Sequence, residues 1–223
     1  MSFAALAAVL VPGLGIALSP VPVEAVIAML RTAAGRSLGL LFAAAYAGGI
    51  ALLAYVALLL ASVGDYAGGS TTYQRVGALQ VVLGVGLWVL AGQRWRLKAP
   101  VGSPATPPAW LEEADHFTAL RTIGVAVPLA TASPKNVVLA LVAMIAGSEL
   151  PDGAGGVYVG FVVLSCLAVA LPVVVDLPAP DRARPVLDGW RRWLADHNDA
   201  IAIASLVLLG AFVVTRGFEA LAR

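Results

Sequence analysis

Residues 17–24 read Ala-Leu-Ser-Pro-Val-Pro-Val-Glu, and they lie inside a run of apolar residues long enough to cross a membrane. Proline inside a helix removes a backbone donor and clashes with the preceding turn, which costs about 3 kcal/mol. A carboxylate at the centre of a bilayer costs roughly 2.5–3.5 kcal/mol. Such residues are tolerated where neighbouring helices or a water-lined cavity satisfy the freed backbone groups. This stretch therefore predicts a membrane helix that is broken at Ser19-Pro20 and surrounded by protein.

A second stretch, residues 130–136, repeats these features with the sequence Ala-Thr-Ala-Ser-Pro-Lys-Asn. The dipeptides Ser19-Pro20 and Ser133-Pro134 are 114 residues apart in a chain of 223, so each lies early in its own half of the sequence. Two breaks in matched places favour a two-fold internal repeat over two unrelated kinks. We therefore expect one broken helix in each half of the protein.

The composition sets the class of protein. The chain is 60% hydrophobic and 12% charged, with a mean hydropathy of +0.90, whereas soluble domains are about 25% charged. We therefore expect an integral membrane protein. The net charge of +1 gives no sign of a nucleic-acid partner, no basic run is longer than two residues, and we expect no such partner. The single cysteine, Cys166, provides neither an internal disulfide nor a two-thiol redox pair, and no metal-ligand or nucleophile–base motif is present, so we expect no enzyme, metal or cofactor.

Six apolar segments account for most of the chain. The first is 28 residues long, more than the roughly 20 that a spanning helix needs, as expected of a broken span. A stretch rich in proline, serine and glycine separates the third segment from the fourth. The predicted fold is all-α, with six transmembrane helices in two three-helix repeats, residues 1–98 and 119–223, joined by a linker, residues 99–118. The apolar segments are residues 3–30, 38–63, 76–93, 122–148, 153–175 and 200–215.

The distribution of Lys and Arg predicts the orientation. Connections one, three and five carry ten of these residues, whereas the opposite side carries three. The positive-inside rule therefore puts the linker in the cytoplasm and both termini outside the plasma membrane. Three spans in each half also mean that the second half is inserted upside down relative to the first, which is the inverted-topology repeat of many secondary transporters.

Residues 186–197 differ from the apolar segments. Leu187, Trp190 and Leu194 recur at helical spacing, while Asp188 and the neighbouring arginines lie away from that stripe. This pattern predicts a separate amphipathic helix that lies in the headgroup layer before the last span.

Small residues predict where the helices approach each other closely. Gly35 with Gly39, and Gly156 with Gly160, have the small-xxx-small spacing that lets membrane helices pack at short distance. We expect these two pairs to mark helix–helix contacts, because no hydrophobic effect drives helix association inside a bilayer.

Each break has the composition of a helix start. Serine is favoured at the N-cap and proline at the first helical position, because the first N–H groups of a helix lack intrahelical acceptors. A half-helix over residues 20–30 would be about 16 Å long, roughly half the hydrocarbon thickness. In inverted halves the two N-termini would face the midplane and favour an anionic ligand, whereas the alternative is a kink without function. The candidate substrate-binding or coupling residues are Ser19, Pro20, Pro22, Glu24, Ser133, Pro134, Lys135 and Asn136.

Glu24 and Lys135 are the charged residues that lie deep in the spans. As an ion pair across the two halves they would neutralise each other, and this interpretation is slightly favoured. As separate groups, Glu24 would carry a proton and Lys135 would bind an acidic headgroup. Asn136 would either contact a ligand beside Lys135 or satisfy the backbone groups that the break leaves free.

Residues 18–22 (LSPVP), 25–30 (AVIAML) and 132–136 (ASPKN) resemble the LysE-type exporter superfamily, in particular its GAP branch of actinobacterial sulfolipid- and peptidoglycolipid-addressing proteins. Amino-acid exporters of the superfamily more often have Pro-Gly-Pro at the first motif, and the valine of Pro20-Val21-Pro22 favours the GAP branch. The resemblance implies a plasma-membrane protein that helps to move a lipid toward the cell surface, beside a large lipid exporter.

The leading interpretation is a transporter or transport accessory protein that exports a lipid or glycolipid. Two alternatives stay open: a proton-coupled exporter of amino acids or other small metabolites, and a non-transporting scaffold of a lipid-export complex. Transport requires the buried charges, whereas a scaffold tolerates their loss if the fold survives. The expected partners are membrane lipids, with a large lipid exporter and a second copy of the chain as further candidates.

Overall fold

The structure, a computed structural model, describes residues 3–32, 35–65, 70–98, 117–148 and 154–222. The described residues form eight helices and no strand. Residues 99–116 of the expected linker lie outside the described residues. The helices are α1 (Phe3–Ala17), α2 (Pro20–Leu30), α3 (Gly35–Asp65), α4 (Ser70–Leu97), α5 (Ala119–Thr131), α6 (Pro134–Ser148), α7 (Ala154–Asp176) and α8 (Pro180–Leu221).

The helices confirm an all-α membrane protein. Four of them, α3, α4, α7 and α8, are long and apolar enough to cross a bilayer by themselves. The remaining four form two bent pairs, α1 with α2 and α5 with α6. Each pair, taken together, is also long and apolar enough to cross a bilayer. The number of spans is therefore four, or up to six if each bent pair crosses as one. The arrangement of six spans as two inverted repeats stays a prediction.

Both breaks occur at the predicted dipeptides. The axis turns by 49° between α1 and α2 and by 58° between α5 and α6. Ser19 at the N-cap of α2 has φ −102° and ψ 108°, the extended conformation that a following proline favours. Because proline has no N–H, Pro20 and Pro134 leave the carbonyl four residues earlier without its helical donor. The geometry of both breaks thus follows from the local sequence.

The two half-helices that follow the breaks occupy the centre of the protein. In α2, every side chain from Pro22 to Met29 is buried, and most of α6 from Val138 to Gly147 is buried as well. The long helices α3 and α7 pack around them and expose leucine and valine side chains on their outer faces. The half-helices are therefore covered by protein, whereas Leu18 at the first break and Ala132 and Pro134 at the second are exposed.

Helix α8 is one continuous helix of 42 residues, about 63 Å long and roughly twice the hydrocarbon thickness. The separate amphipathic helix expected at residues 186–197 is instead part of this helix. Leu187 is 1% exposed, and Trp190 and Leu194 pack against the core, so the predicted stripe contacts protein. Since the last proline of the chain is Pro185, nothing in the backbone ends the helix before the apolar segment begins.

The closest helix contact joins α4 to the second half of α8. Gly77 faces Gly217 and Gly84 faces Gly210, and an added Cβ at any of the four would lie between 2.7 and 3.0 Å from the carbonyl oxygen of its partner glycine. The indole N–H of Trp88 on α4 donates to the carbonyl of Val207 at 3.0 Å. Antiparallel packing at this distance requires glycine, because a side chain would force the backbones apart.

The predicted glycine pairs behave differently from these four. At Gly35 and Gly39 an added Cβ would collide with Leu30, so this pair permits the tight turn from α2 into α3. At Gly156 and Gly160 an added Cβ would meet no described atom within 4 Å, and the predicted contact at this pair is wrong. Spacing alone does not say which helix face is covered by a neighbour.

Replacing Gly84 with valine is expected to destabilise the protein, because the new Cβ would lie 2.9 Å from the backbone carbonyl of Gly210 and 2.6 Å from Val214. Overpacking of this kind costs roughly 1–3 kcal/mol or more. Gly86→Val, on the same helix with open space around its Cα, is the matched control. Thermal unfolding in detergent measures the stability of the two variants, and Gly84→Val is expected to have the lower melting temperature. Equal melting temperatures for the two variants would contradict the close α4–α8 contact.

Ion pairs tie several helix ends together at one surface. Arg31, after α2, pairs with Asp188 on α8. Arg36, at the start of α3, donates to the carbonyl of Leu177 at 2.7 Å and lies 3.9 Å from the buried carboxylate of Asp176. The antiparallel contact with α8 points the C-terminal end of α4, with its arginines, toward the same surface. By the positive-inside rule this is the surface that we expect to face the cytoplasm, and the orientation stays a prediction.

Candidate functional site

The two breaks meet at one cavity of about 700 Å³. Helices α4, α5 and α8 supply the remaining walls. The cavity extends from the breaks to Arg94 and Leu97 at the C-terminal end of α4. Seven of the eight candidate residues line it, and the eighth, Glu24, does not. The seven are Ser19, Pro20, Pro22, Ser133, Pro134, Lys135 and Asn136.

Lys135 connects the second break to the first. Its Nζ donates to the carbonyl oxygen of Gly15 and to Oγ of Ser19, both at 2.8 Å. Gly15 lies in the last turn of α1, where carbonyl groups lack helical donors and the helix dipole is negative, so a cation is stabilised there. An ammonium group has three N–H donors. The third has no partner among the described residues, and Lys135 lines the cavity.

The hydroxyl of Ser19 has a different role from the predicted one. Ser19 does occupy the N-cap position of α2, but its side chain makes no capping hydrogen bond. Instead its Oγ accepts the hydrogen bond from Lys135. The first N–H groups of α2 are therefore not satisfied by this serine, and they begin directly beside the cavity that Pro20 and Val21 line.

Asn136 satisfies the backbone that the second break leaves free. Its Nδ2 donates to the carbonyl of Ala130 at 2.9 Å and to that of Leu129 at 3.3 Å. Ala130 is four residues before Pro134, so its carbonyl is the one that the proline deprives of a donor. The side chain is 1% exposed, and its Oδ1 is buried without a partner among the described residues. Asn136 therefore serves the backbone of the second break, and its side chain also contacts that of the buried Tyr46.

The two breaks are related in sequence but not in how they are capped. Aligning Ser19-Pro20 with Ser133-Pro134 puts Val21 opposite Lys135 and Pro22 opposite Asn136. Neither Val21 nor Pro22 has a side-chain donor for the carbonyls of α1. The second half therefore caps both helix ends, its own through Asn136 and that of the first half through Lys135. This asymmetry makes Lys135 a link between the halves.

Glu24 does not pair with Lys135, so the favoured ion pair is wrong for this structure. The carboxylate is 3% exposed, one turn beyond the break in α2, and its Oε1 has no hydrogen-bond partner among the described residues. The positive charge that acts on it is that of Arg191 on α8. Lys135 is drawn away because Gly15 and Ser19 offer two acceptors at the end of α1.

Glu24→Gln and Lys135→Gln are therefore expected to act independently on stability. Residues without contact and without a shared partner give changes that add within about 0.5 kcal/mol. An ion pair would instead make each single change worse than the double change, because the remaining charge would be stranded. Thermal or denaturant unfolding of the two single variants and the double variant measures the coupling. A clearly non-additive double variant would contradict the separation of the two groups.

Four polar residues at the cavity were missed by the sequence analysis. Gln93 and Arg94 come from the end of α4, and Asn198 and Ser205 come from α8. Arg94 is one of the ten basic residues counted on connections one, three and five, and it was given no role at the site. Asn198, Ala202 and Ser205 are four and three residues apart, so they lie on one face of α8. Two of the three are polar, and polar residues on one face of an otherwise apolar helix could have indicated the cavity.

The chain matches one family model over nearly its whole length. The family is SfLAP, described as "Sap, sulfolipid-1-addressing protein", and the match covers residues 9–219. This range contains both breaks and every residue that lines the cavity, so the site lies entirely within the matched region. No curated protein and no solved structure matches the chain.

Proposed function

Because this chain belongs to the family of sulfolipid-1-addressing proteins, we propose that it moves a lipid or glycolipid across the plasma membrane toward the cell surface, or assists a larger exporter that does so. Lipid addressing agrees with a protein of four to six candidate membrane spans. The proposed architecture is a pair of inverted three-helix repeats, in agreement with one broken helix in each half of the chain. The proposal contains no enzymatic step.

The observation that carries the proposal is the cavity between the two breaks. Its volume of about 700 Å³ lies within the range of roughly 300–1,000 Å³ for small-molecule sites. Apolar side chains such as Leu90 and Leu206 make up much of the wall, while Lys135, Asn136 and Ser19 supply polar groups at the breaks. A ligand with a polar, negatively charged part and an apolar part matches this division.

Competition between a ligand and the internal partners of Lys135 would connect ligand binding to a conformational change. In the proposal, an anionic headgroup competes with the carbonyl of Gly15 and the hydroxyl of Ser19 for the ammonium group. Each lost contact weakens the link between the first and second halves of the chain. The ligand thus favours a conformation in which the halves separate at the breaks, which is the requirement for alternating access around a fixed site.

The proposed direction of movement depends on the orientation of the chain. We expect both termini outside and residues 99–110 in the cytoplasm, because the cations lie mainly on connections one, three and five. Single cysteines introduced into a Cys166→Ala background can be labelled from outside intact cells with an impermeant maleimide. A cysteine at Ser103 is expected to react only after the cells are permeabilised. Labelling of that cysteine in intact cells would reverse the orientation.

A deletion strain tests the function itself. Surface-extractable lipids and metabolites of the medium would be compared by mass spectrometry between the deletion strain, the parent and the complemented strain. We expect one class of surface lipid to fall and to accumulate inside the cell, with the medium metabolites unchanged. Loss of an amino acid from the medium, with surface lipids unchanged, would contradict lipid export and support the metabolite exporter instead.

A further inference from the structure

The wall of the cavity is incomplete between α4 and α5. Helix α4 contributes Leu90, Arg94 and Leu97, and α5 contributes Gly124 and Pro128. Along its length α4 packs on α8, and it scarcely touches α5. Because these two helices line the same cavity without packing on each other, the described residues leave a lateral gap between them.

The residues that border this gap are mostly apolar and exposed, as a path for an acyl chain requires. Leu97 is 83% exposed, Pro128 is exposed, and an added Cβ at Gly124 would meet nothing within 4 Å. Between these apolar positions Arg94 supplies a positive charge at the end of α4. An exposed apolar surface with a cation at its edge is complementary to the junction of acyl chain and headgroup in an anionic lipid.

Polar groups inside the cavity complete the path. The ammonium group of Lys135 lines the cavity and uses two of its three N–H donors within the protein, on the carbonyl of Gly15 and the hydroxyl of Ser19. A headgroup that has passed Arg94 would meet these groups at the breaks, while its acyl chain still lies along Leu90 and Leu97. The site is thus divided into a polar inner end and an apolar lateral opening.

We propose that the gap between α4 and α5 is a lateral portal, through which an anionic lipid passes between the cavity and the bilayer leaflet beside Arg94. This inference rests on the proposed function, and adds to it the route and the leaflet. The lipid enters with its headgroup held first by Arg94 and then by Lys135. Its acyl chain stays in contact with the bilayer through the gap.

Two glycines allow a matched steric test of the portal. An added Cβ at Gly124 on α5 or at Gly86 on α4 meets nothing within 4 Å, so a side chain can start at either position without a clash. Only Gly124 lines the cavity. The full-length wild type, Gly124→Trp and Gly86→Trp would be placed in phosphatidylcholine nanodiscs that contain a phosphatidylglycerol with a diazirine in its acyl chain. Labelled residues are located by mass spectrometry after irradiation.

We expect the probe to label Leu206 inside the cavity as well as Leu208 on the outer face, which is 70% exposed. Gly124→Trp should lower the labelling of Leu206 by roughly tenfold and leave Leu208 unchanged. Gly86→Trp should resemble the wild type at both positions. Equal labelling of Leu206 in all three proteins, or no labelling of Leu206 in the wild type, would overturn the portal.

A second arm tests the role of Arg94. With the wild type, phosphatidylglycerol is expected to label Leu206 more than a phosphatidylcholine probe with the same acyl chain. Arg94→Gln should reduce this preference by about fivefold, the effect of one cation at a membrane surface. Arg96→Gln, at the same helix end but outside the cavity, is the control. An unchanged preference in Arg94→Gln, or an equal loss in Arg96→Gln, would contradict selection at the portal.

The labelling and the deletion strain separate the two proposals. Labelling measures lipid entry into purified protein, whereas the deletion strain measures lipid at the cell surface. Unchanged surface lipids with normal labelling of Leu206 would contradict the proposed function and leave the portal standing. If the deletion alters the surface lipids, and Gly124→Trp restores them as fully as Gly86→Trp does, the portal is contradicted and the proposed function is not.

Discussion

Replacing Lys135 with methionine is expected to abolish export of the lipid. The change keeps the apolar stem of the side chain but removes the ammonium group that donates to Gly15 and Ser19. Charged hydrogen bonds contribute about 1.5–3 kcal/mol each, so ligand affinity should fall roughly ten- to a hundredfold. Export of the native lipid from a deletion strain, complemented at matched membrane abundance, measures the effect.

The other lysine of the chain provides the control. Lys98 is exposed at the end of α4, lies 5.7 Å from the centre of the Trp95 ring and does not line the cavity. Lys98→Met is expected to export normally. Lys135→Arg, which keeps the charge and the donors, should fold like the wild type and retain part of the export. Full export by a stably inserted Lys135→Met would contradict a binding role and favour the scaffold, which does not need this charge.

Replacing either break proline with alanine is expected to abolish export while the protein still inserts. Alanine at position 20 or 134 restores a backbone N–H and lets the helix continue through the break. In the second half, the new N–H would compete with Asn136 for the carbonyl of Ala130. Straightening the bends of 49° and 58° would move the walls of the cavity. Pro20→Ala and Pro134→Ala should cause comparable losses, measured by the same complementation assay.

Two other prolines separate this effect from a general effect of proline. Pro12 and Pro172 lie inside α1 and α7, where the helix continues through them, and neither lines the cavity. Pro12→Ala and Pro172→Ala also restore a backbone donor and should leave export near the wild-type level. If Pro20→Ala and Pro134→Ala exported as well as these controls, the breaks would be kinks without function.

The breaks could be predicted from the sequence because their causes are local. Proline restricts its own backbone and that of the residue before it, and it removes one donor, all within a few residues. The predicted half-helix over residues 20–30 therefore agrees with α2 at both ends. The two Ser-Pro motifs and the residues that directly follow them were enough to identify seven of the residues that line the cavity, all of them at the breaks.

The contacts across the protein could not be predicted in this way. Lys135 donates to the carbonyl of Gly15 and does not pair with Glu24, because the end of α1 lies close to its ammonium group. This position of α1 depends on how the two halves pack, which the local sequence does not determine. The glycines of α4 and α8 are a second example. Within each helix they are seven residues apart, but only the antiparallel register of the two helices brings them into contact. The long α8 was missed because the amphipathic pattern of residues 186–197 was assigned to a separate helix in the headgroup layer, although no residue there breaks the backbone.

Lipid that stays bound through purification tests the central claim most directly, namely that the cavity between the breaks binds a lipid with an anionic headgroup. Wild type, Lys98→Met and Lys135→Met would be purified from the native membrane in mild detergent, and bound lipids quantified by mass spectrometry at equal protein amounts. We expect the wild type and Lys98→Met to retain the same anionic lipid, and Lys135→Met to retain roughly tenfold less. Equal retention by all three proteins, or none by the wild type, would contradict the claim.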